Sequence, residues 1–412
     1  MNKALRLARR DVPLGVALPW LTLPVAIPLW LVYIQILSKN IFISVDGTIL
    51  PDTAIKYSPL NNDMMLFWPV AHLVTSGHAG DVYNTSLFST YLRLHFGGIV
   101  PSYYQCPYLP PGLLAPLILA PFGILPGFLV WTLVLTGGSI WLLRLIKAPW
   151  PVVGFGLTSV ASIYNMLAGQ LGLITGTLFL VGLFSIASNP NRAATCFGCL
   201  IIKPQAGLLA PIALLARRQY RTIIVSGLVV LALCVLTTLI CGAAIWPAYL
   251  DEGTASARKI LIAPFPNQYE DNGASVFWMM RSFGAGVTTS GIVQTATAVG
   301  ATVWCWVAWR RDTKDHLALI TLTAALTILA TPYGYTVDLC GFTLMTGWLA
   351  WERRQLELAD VLIWVWPAIC PLVATGLHME LTPLILLLGA IRAWRRLDGI
   401  GTTAPACYPV PL

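Results

Sequence analysis

From residue 14 onward the chain returns repeatedly to apolar runs long enough, or nearly long enough, to cross a bilayer. They fall near 14–37, 127–145, 151–168, 170–187, 222–243, 286–308, 316–333, 336–351, 359–376 and 380–393. A spanning helix needs about 20 such residues, with about 17–25 usual, and in hydrocarbon every backbone N–H and C=O must find a partner inside the protein. Runs of this length meet that demand as helices. The predicted fold class is all-α, a polytopic transmembrane helical bundle of about ten to thirteen spans. Only 10% of the 412 residues are charged and 57% are hydrophobic, which excludes an ordinary soluble enzyme. The leader MNKALRLARR with its apolar run at 14–37 reads at first like a signal peptide. The run is too long and no A-x-A site follows, so it is expected to be an uncleaved first span.

Charge then orients the bundle. The net charge of +8 does not point to nucleic acid, because the basic residues sit in short clusters between apolar runs. With the N-terminus in the cytoplasm, 18 of the 25 basic residues fall inside: Lys3/Arg6/Arg9/Arg10, Arg144/Lys147, Arg192, Arg217/Arg218/Arg221, Arg310/Arg311/Lys314, Arg353/Arg354 and Arg392/Arg395/Arg396. This holds only if Ala193–Ala216, broken at Lys203-Pro204, returns to its starting side as two half-helices. A single crossing there inverts every later cluster against the positive-inside rule. Residues 1–396 then form one membrane domain with a first outer loop at 38–111 and a second at 244–285. Residues 397–412 form a cytoplasmic tail.

In that topology the polar interruptions collect on the outer side, where irregular backbone is tolerated if it lines a cavity. Asp63 precedes an apolar pattern (Leu66, Phe67, Val70, Leu73, Val74) that predicts an amphipathic helix on the membrane surface. Its carboxylate is either a general base or a helix N-cap. Asp338 lies just inside a late span, where an acid is costly and usually functional. Asp81, in GHAGDVYN, fixes a loop or touches substrate. Lys203 is the one basic residue within a membrane segment; it meets a lipid phosphate or a buried acid. Arg281 is an outer-side alternative for the phosphate, and Arg258 and Lys259 read as solvated loop charges. Gly169-Gln170 is either a plain turn or a place where an amide meets a sugar hydroxyl. The nine cysteines are scattered, and Cys196/Cys199 lack the second pair or the histidines of a zinc site. His72, His78 and His95 lack metal-site spacing, so no metal or cofactor is expected. The chain has no P-loop, G-x-G-x-x-G, G-x-S-x-G or D-x-D, which argues against a soluble-type transferase using nucleotide sugars.

Six segments in order give the chain a family likeness: D-x-x-x-F-W at Asp63, G-H-A-G-D-V-Y-N at Gly77–Asn84, Y-L-P-P at Tyr108–Pro111, A-G-Q-x-G at Ala168–Gly172, K-P-Q-A-G-L-L-A-P at Lys203–Pro211 and T-P-Y-x-Y-x-x-D-L at Thr331–Leu339. Together, over about residues 14–396, they resemble glycosyltransferase family 87, bacterial membrane enzymes of the GT-C type. The resemblance implies a helical bundle whose large first outer loop bears a catalytic Asp, here Asp63. It also implies inverting transfer from a polyprenyl-phosphate-sugar, often the mannose form, to a glycolipid or glycan hydroxyl. Lys203 or Arg281 would stabilise the leaving phosphate, and Tyr108, Gln170 and Asn272 would orient sugar hydroxyls. Some mannosyltransferase members carry a His in the late outer motif, where this chain has Tyr335 and Asp338. The implied setting is the bacterial cytoplasmic membrane with the site facing outward.

Three other classes compete. A secondary transporter or lipid-sugar flippase is expected to show repeats with paired broken helices, whereas Lys203-Pro204 stands without an obvious counterpart. An O-antigen-ligase-like enzyme would centre on a late, large outer loop with basic residues and His. A membrane scaffold leaves the clustering of outer polar residues unexplained.

Overall fold

A computed structural model describes residues 63–96, 106–263, 272–353 and 357–399. The expected span at 14–37, residues 38–62 and 97–105 of the first outer loop, Arg354 and the tail from 400 lie outside the described residues. Within them the regular structure is helical, and the antiparallel pairing of Gly273 with Tyr335 is an isolated bridge. Helices α1 (Met64–Thr75) and α2 (Thr85–Phe96) flank a 3₁₀ turn at Ala79–Val82. A 3₁₀ segment at Pro110–Leu119 leads to α3 (Ile124–Leu145), α4 (Trp150–Thr158), α5 (Val160–Ala168) and α6 (Gly172–Ser185). Then come α7 (Pro190–Cys199), α8 (Ala210–Ala216), α9 (Tyr220–Cys241) and the short α10 (Ile245–Ala248), α11 (Thr254–Ile262) and α12 (Val276–Ser282). Helices α13 (Val287–Arg310), α14 (His316–Ala330), α15 (Cys340–Arg353), α16 (Leu358–Leu377) and α17 (Thr382–Leu397) complete the bundle.

Two helices display the two environments a membrane bundle needs. Helix α14 is buried along its whole run from Leu317 to Ala330 and belongs to the main core. Helix α9 is also strongly apolar, with a mean hydropathy of 2.8, yet only Thr222 and Thr237 are buried. A helix that is apolar all round and uncovered suits lipid, not water. By length and composition α3, α9, α13 and α16 qualify as spans, and α4 with α5 makes a fifth if their 56° bend interrupts one crossing. Among the described residues the remaining apolar runs gave shorter helices. Those of 14 and 15 residues at α6 and α14 reach about 21–23 Å at 1.5 Å per residue, against about 30 Å of hydrocarbon. The backbone leaves the helix at Gly169-Gln170, between the runs 151–168 and 170–187, and at Thr331–Tyr335, where the run 316–333 continues past the end of α14 at Ala330.

Ala193–Ala216 has the predicted break. Between α7 and α8 lie 3₁₀ turns at Leu200–Ile202 and Pro204–Gly207, with Lys203 at their junction. At the start of α7, Arg192 donates to the Leu145 carbonyl at the end of α3, 2.7 Å away. Just past α8, Arg217 donates to the Arg311 carbonyl beyond α13, 3.1 Å away. Both flanks of the segment thus meet the C-terminal ends of long helices, and Lys203 between them reaches Asp338. The basic end is stitched by ion pairs: Arg353 and Arg392 both bind Glu357 and Asp360, Arg396 binds Asp315 and Glu352, and Arg311 binds Asp398.

Helix α1 corrects one expectation. It does not lie on the surface with one apolar face; all its residues from Met64 to Val74 except His72 are buried. Met64, Trp68 and Pro69 fill the side that the pattern left for water, and α1 packs beneath the 3₁₀ segment Pro110–Leu119. That segment comes just as close to the Lys203 break, since a β-carbon on Gly112 would lie 3.0 Å from the Ile202 carbonyl oxygen.

Candidate active site

The Asp63 carboxylate does not cap its helix. Asp63 occupies the N-cap position of α1 and its backbone carbonyl accepts from Phe67 at 2.8 Å, but its side chain makes no capping bond. It turns instead to Gln170, whose Nε2 donates to Asp63 Oδ2. The Gln170 Oε1 accepts from the Tyr108 hydroxyl at 3.2 Å, from Lys203 Nζ at 3.4 Å and from the Leu171 N–H at 3.3 Å. Lys203 Nζ also binds Asp338 Oδ1, and Asp338 Oδ2 accepts from the Tyr335 N–H at 3.2 Å. Five polar residues from five separate segments therefore form one connected cluster, and each had been singled out in the sequence.

Local backbone chemistry explains how Gln170 gets there. Helix α5 ends in a Schellman motif: Gly169 adopts a left-handed conformation (φ 67°), the Gln170 N–H bonds the Asn165 carbonyl at 3.0 Å, and the Gly169 N–H bonds Met166 at 3.1 Å. Glycine meets no steric penalty at such a position. The Gly169 carbonyl is held in turn by Trp131 Nε1 at 2.7 Å. The turn is present, and its amide meets the side chains of Asp63, Tyr108 and Lys203.

Asn165 is a residue that the sequence reading missed. It is 1% exposed, donating to the Val337 carbonyl and accepting from the Leu173 N–H, both at 3.2 Å. Leu171, the N-cap of α6, has no side-chain acceptor, so Asn165 satisfies one of that helix's orphan donors. A lone amide in the apolar run 160–168 was the available signal. Tyr83 is another: its hydroxyl donates to the Tyr108 carbonyl at 2.7 Å.

The other candidates stand around this cluster or apart from it. Asn272 accepts from the Tyr164 hydroxyl through its side chain and from Thr336 Oγ1 through its carbonyl, beside the Gly273–Tyr335 bridge. Arg281 donates to the carbonyls of Ala263 at 2.7 Å and Ala285 at 3.4 Å. Asp81 lies beyond the far end of α1 from Asp63, a 12-residue helix about 18 Å long. Asp338 also borders a narrow slot lined by Gly172, Gly176, Gln205, Thr327 and Gly341.

Charge and desolvation set the chemistry. Burial pushes the Asp63 carboxyl from 3.8 up to about 6, against the opposing pull of the Gln170 hydrogen bond and the Lys203 charge, while the Asp338 charge adds to the rise. Part of Asp63 still reaches solvent, and a carboxylate tuned toward neutrality in a reachable site suits proton transfer. Burial and the charges of Asp63 and Asp338 push the Tyr108 hydroxyl well upward, so Tyr108 remains a donor. Lys203 is 3% exposed and Asp338 10%; Lys203 has three N–H donors, of which two are engaged by Asp338 and Gln170.

An apolar bundle with an ionisable cluster built on broken helices is the architecture of a membrane protein with a functional interior site. The sequence profile of Glycosyltransferase family 87 matches residues 107–332, more than half of the chain, and the chain belongs to that family. It is a membrane glycosyltransferase. No curated protein and no solved structure matches it. The matched region contains Tyr108, Gln170 and Lys203 but neither Asp63 nor Asp338; these two acids join the site through their contacts with Gln170 and Lys203.

Proposed function

We propose that the enzyme transfers a hexosyl group, mannosyl in the form common among the proteins it resembles, from a polyprenyl-phosphate-sugar to a glycolipid or glycan hydroxyl. Asp63 acts as the general base. The acceptor oxygen attacks the anomeric carbon and the carbon–oxygen bond to phosphate breaks. The bonding pair leaves with the polyprenyl phosphate, the acceptor proton passes to Asp63, and the anomeric configuration inverts. The phosphate leaves as a stable anion, so one base suffices. The third N–H of Lys203, or the Arg281 guanidinium, offsets the charge that develops there. Tyr108, Gln170, Asn272, Tyr335 and Asp338 orient sugar hydroxyls at the cluster, and Asp81 contributes from the outer loop. The reading includes a single GT-C-type domain of ten to thirteen spans in a bacterial cytoplasmic membrane, with the Asp63 end facing outward. The gathering of arginines at the opposite end supports that orientation.

The observation that carries this reading is that Asp63 begins a helix without capping it and is held by Gln170 in a desolvated position. Sugar transfer by the purified protein from synthetic polyprenyl-phosphate-mannose to membrane glycolipid extract tests it. Asp63→Asn should lower kcat by about 10²–10⁴-fold, the usual worth of a positioned base, while the protein stays folded and binds donor. Full activity in Asp63→Asn removes the base. Movement of intact lipid between leaflets without transfer favours a flippase.

A further inference from the structure

We propose that Lys203, locked to Asp338, fixes the Gln170 amide in the one orientation that presents its N–H to Asp63, making Lys203 and Asp338 positioning residues for the base. The inference rests on the reading of Asp63 as that base.

The two ends of a glutamine amide are nearly identical in shape and opposite in hydrogen-bonding sense, so its neighbours decide which way it lies. Around Gln170 they agree. Its oxygen faces three donors: the Tyr108 hydroxyl, Lys203 Nζ and the Leu171 N–H. Its nitrogen faces the Asp63 carboxylate. A flip would set an NH₂ against an ammonium and a backbone N–H, and an amide oxygen against a carboxylate. Tyr108 could adapt by turning its hydroxyl, since that group both donates and accepts. Lysine has no acceptor and cannot adapt, so of the two side chains that meet the Gln170 oxygen it is the one that enforces the choice.

Lys203 is able to enforce it because it is itself held. Its ammonium is buried against Asp338 Oδ1, and the other Asp338 oxygen is fixed by the Tyr335 N–H at 3.2 Å. The result is a directed chain in which Asp338 fixes Lys203, Lys203 fixes Gln170, and Gln170 fixes one oxygen of Asp63. Among the described residues no other side chain holds the second Asp63 oxygen, the one the proposal assigns to take a proton. A lysine serving only to neutralise Asp338 would need no contact with Gln170.

The arrangement gives each residue a distinct sign. The groups facing Asp63 are the cation Lys203, the anion Asp338, the neutral phenol Tyr108 and the Gln170 amide. Removing Lys203 or the amide should make Asp63 harder to ionise. Neutralising Asp338 should make it easier, because the Lys203 charge is then opposed by one carboxylate instead of two.

Infrared titration of the protonated carboxyl band in nanodisc-reconstituted protein, assigned to Asp63 by its loss in Asp63→Asn, reads this without any substrate. Relative to wild type, the midpoint should rise by roughly half a pH unit or more in Lys203→Met and Gln170→Leu, and fall by a similar amount in Asp338→Asn. The acid limb of the transfer rate should move in the same directions, and Lys203→Arg, which keeps charge and donors, should lie closer to wild type than Lys203→Met. A midpoint unchanged in Lys203→Met, or raised in Asp338→Asn, overturns the proposal even where Asp63→Asn abolishes transfer. If Lys203→Met does not fold, Asp338→Asn and Gln170→Leu decide: opposite shifts support the chain, and a common or absent shift overturns it. Loss of the base reading would appear separately, as full transfer by Asp63→Asn.

Discussion

A β-carbon on Gly172 would stand 2.0 Å from the carbonyl oxygen of Val337, far inside van der Waals contact. Gly172 opens α6 two residues after Gln170, and Val337 immediately precedes Asp338. The bare glycine lets the two segments approach closely enough for Lys203 to touch both Gln170 and Asp338. Gly172→Ala should therefore lower the melting temperature, by an amount equivalent to about 1–3 kcal/mol of overpacking, and cut transfer activity sharply. Gly291→Ala in α13 is the control: it has open space around it, and a helical Gly→Ala change is expected to stabilise by about 0.5–1 kcal/mol. Equal behaviour of the two variants in thermal-shift and activity assays would refute the close-approach argument.

Asn165 braces the same junction from the other side. Asn165→Leu keeps the approximate volume but leaves the buried Leu173 N–H without its acceptor and the Val337 carbonyl with only the weak Cys340 thiol as side-chain donor among the described residues. Each unsatisfied group costs about 1–3 kcal/mol. The expected outcome is a lower melting temperature with residual activity, because Asn165 touches neither Asp63 nor Lys203 directly. Asn165→Asp retains the acceptor for Leu173 while losing the donor to Val337, and should fall between Leu and wild type. A melting curve unmoved by Asn165→Leu would deny this brace.

At the basic end, burial separates ion pairs that look alike on paper. Asp360 is 4% exposed and binds Arg353 at 2.6 Å and Arg392 at 2.8 Å. The partners of the Arg311–Asp398 pair are 37% and 33% exposed. Among the described residues, Asp360→Ala leaves Arg353 and Arg392 only the exposed Glu357 as partner and the Glu357 N–H without its acceptor, and should cost about 1–3 kcal/mol. Asp398→Ala should cost about 0–1 kcal/mol. Chemical or thermal denaturation of the two variants checks the ranking, and a larger loss for Asp398→Ala would reverse it.

The members of the cluster were legible in the sequence because each is a polar residue where an apolar chain makes polarity costly. Asp63, Tyr108, Gln170, Lys203 and Asp338 interrupt apolar surroundings, and a buried polar group needs a partner. The partnerships themselves were not legible. Lys203 and Asp338 are 135 positions apart in the chain, and no local pattern encodes which acid a buried lysine will meet. Capping and catalytic readings of Asp63 were equally open, because an N-cap is defined by where its side chain turns, which here is Gln170. The surface reading of α1 failed for a different reason. Leu66, Val70 and Leu73 marked one face correctly, but Met64, Trp68 and Pro69 on the other face were already apolar and pointed to burial all round. Asn165 went unremarked because one amide in a nine-residue helix barely lowers its hydropathy.

Stability should carry the mark of Asp63 as plainly as activity does. Its carboxyl is raised from 3.8 to about 6 in the folded protein, chiefly by burial. The folded state therefore holds this proton more tightly than the unfolded state does. The stability associated with the protonated form is fully present below about pH 4 and is lost as the pH rises through about 6. At about pH 8 wild type folds around an ionised, desolvated carboxylate, whereas Asp63→Asn folds around a neutral amide that still accepts from Gln170. The variant should thus melt above wild type at about pH 8, and the gap should close as the pH falls toward about 4. Thermal-shift curves for both proteins in detergent across that range provide the check. A gap that stays constant with pH, or widens on acidification, would mean that the Asp63 carboxylate is not paying a desolvation cost. The expected combination, higher stability with lost transfer, is that of a group kept for its chemistry at the expense of the fold.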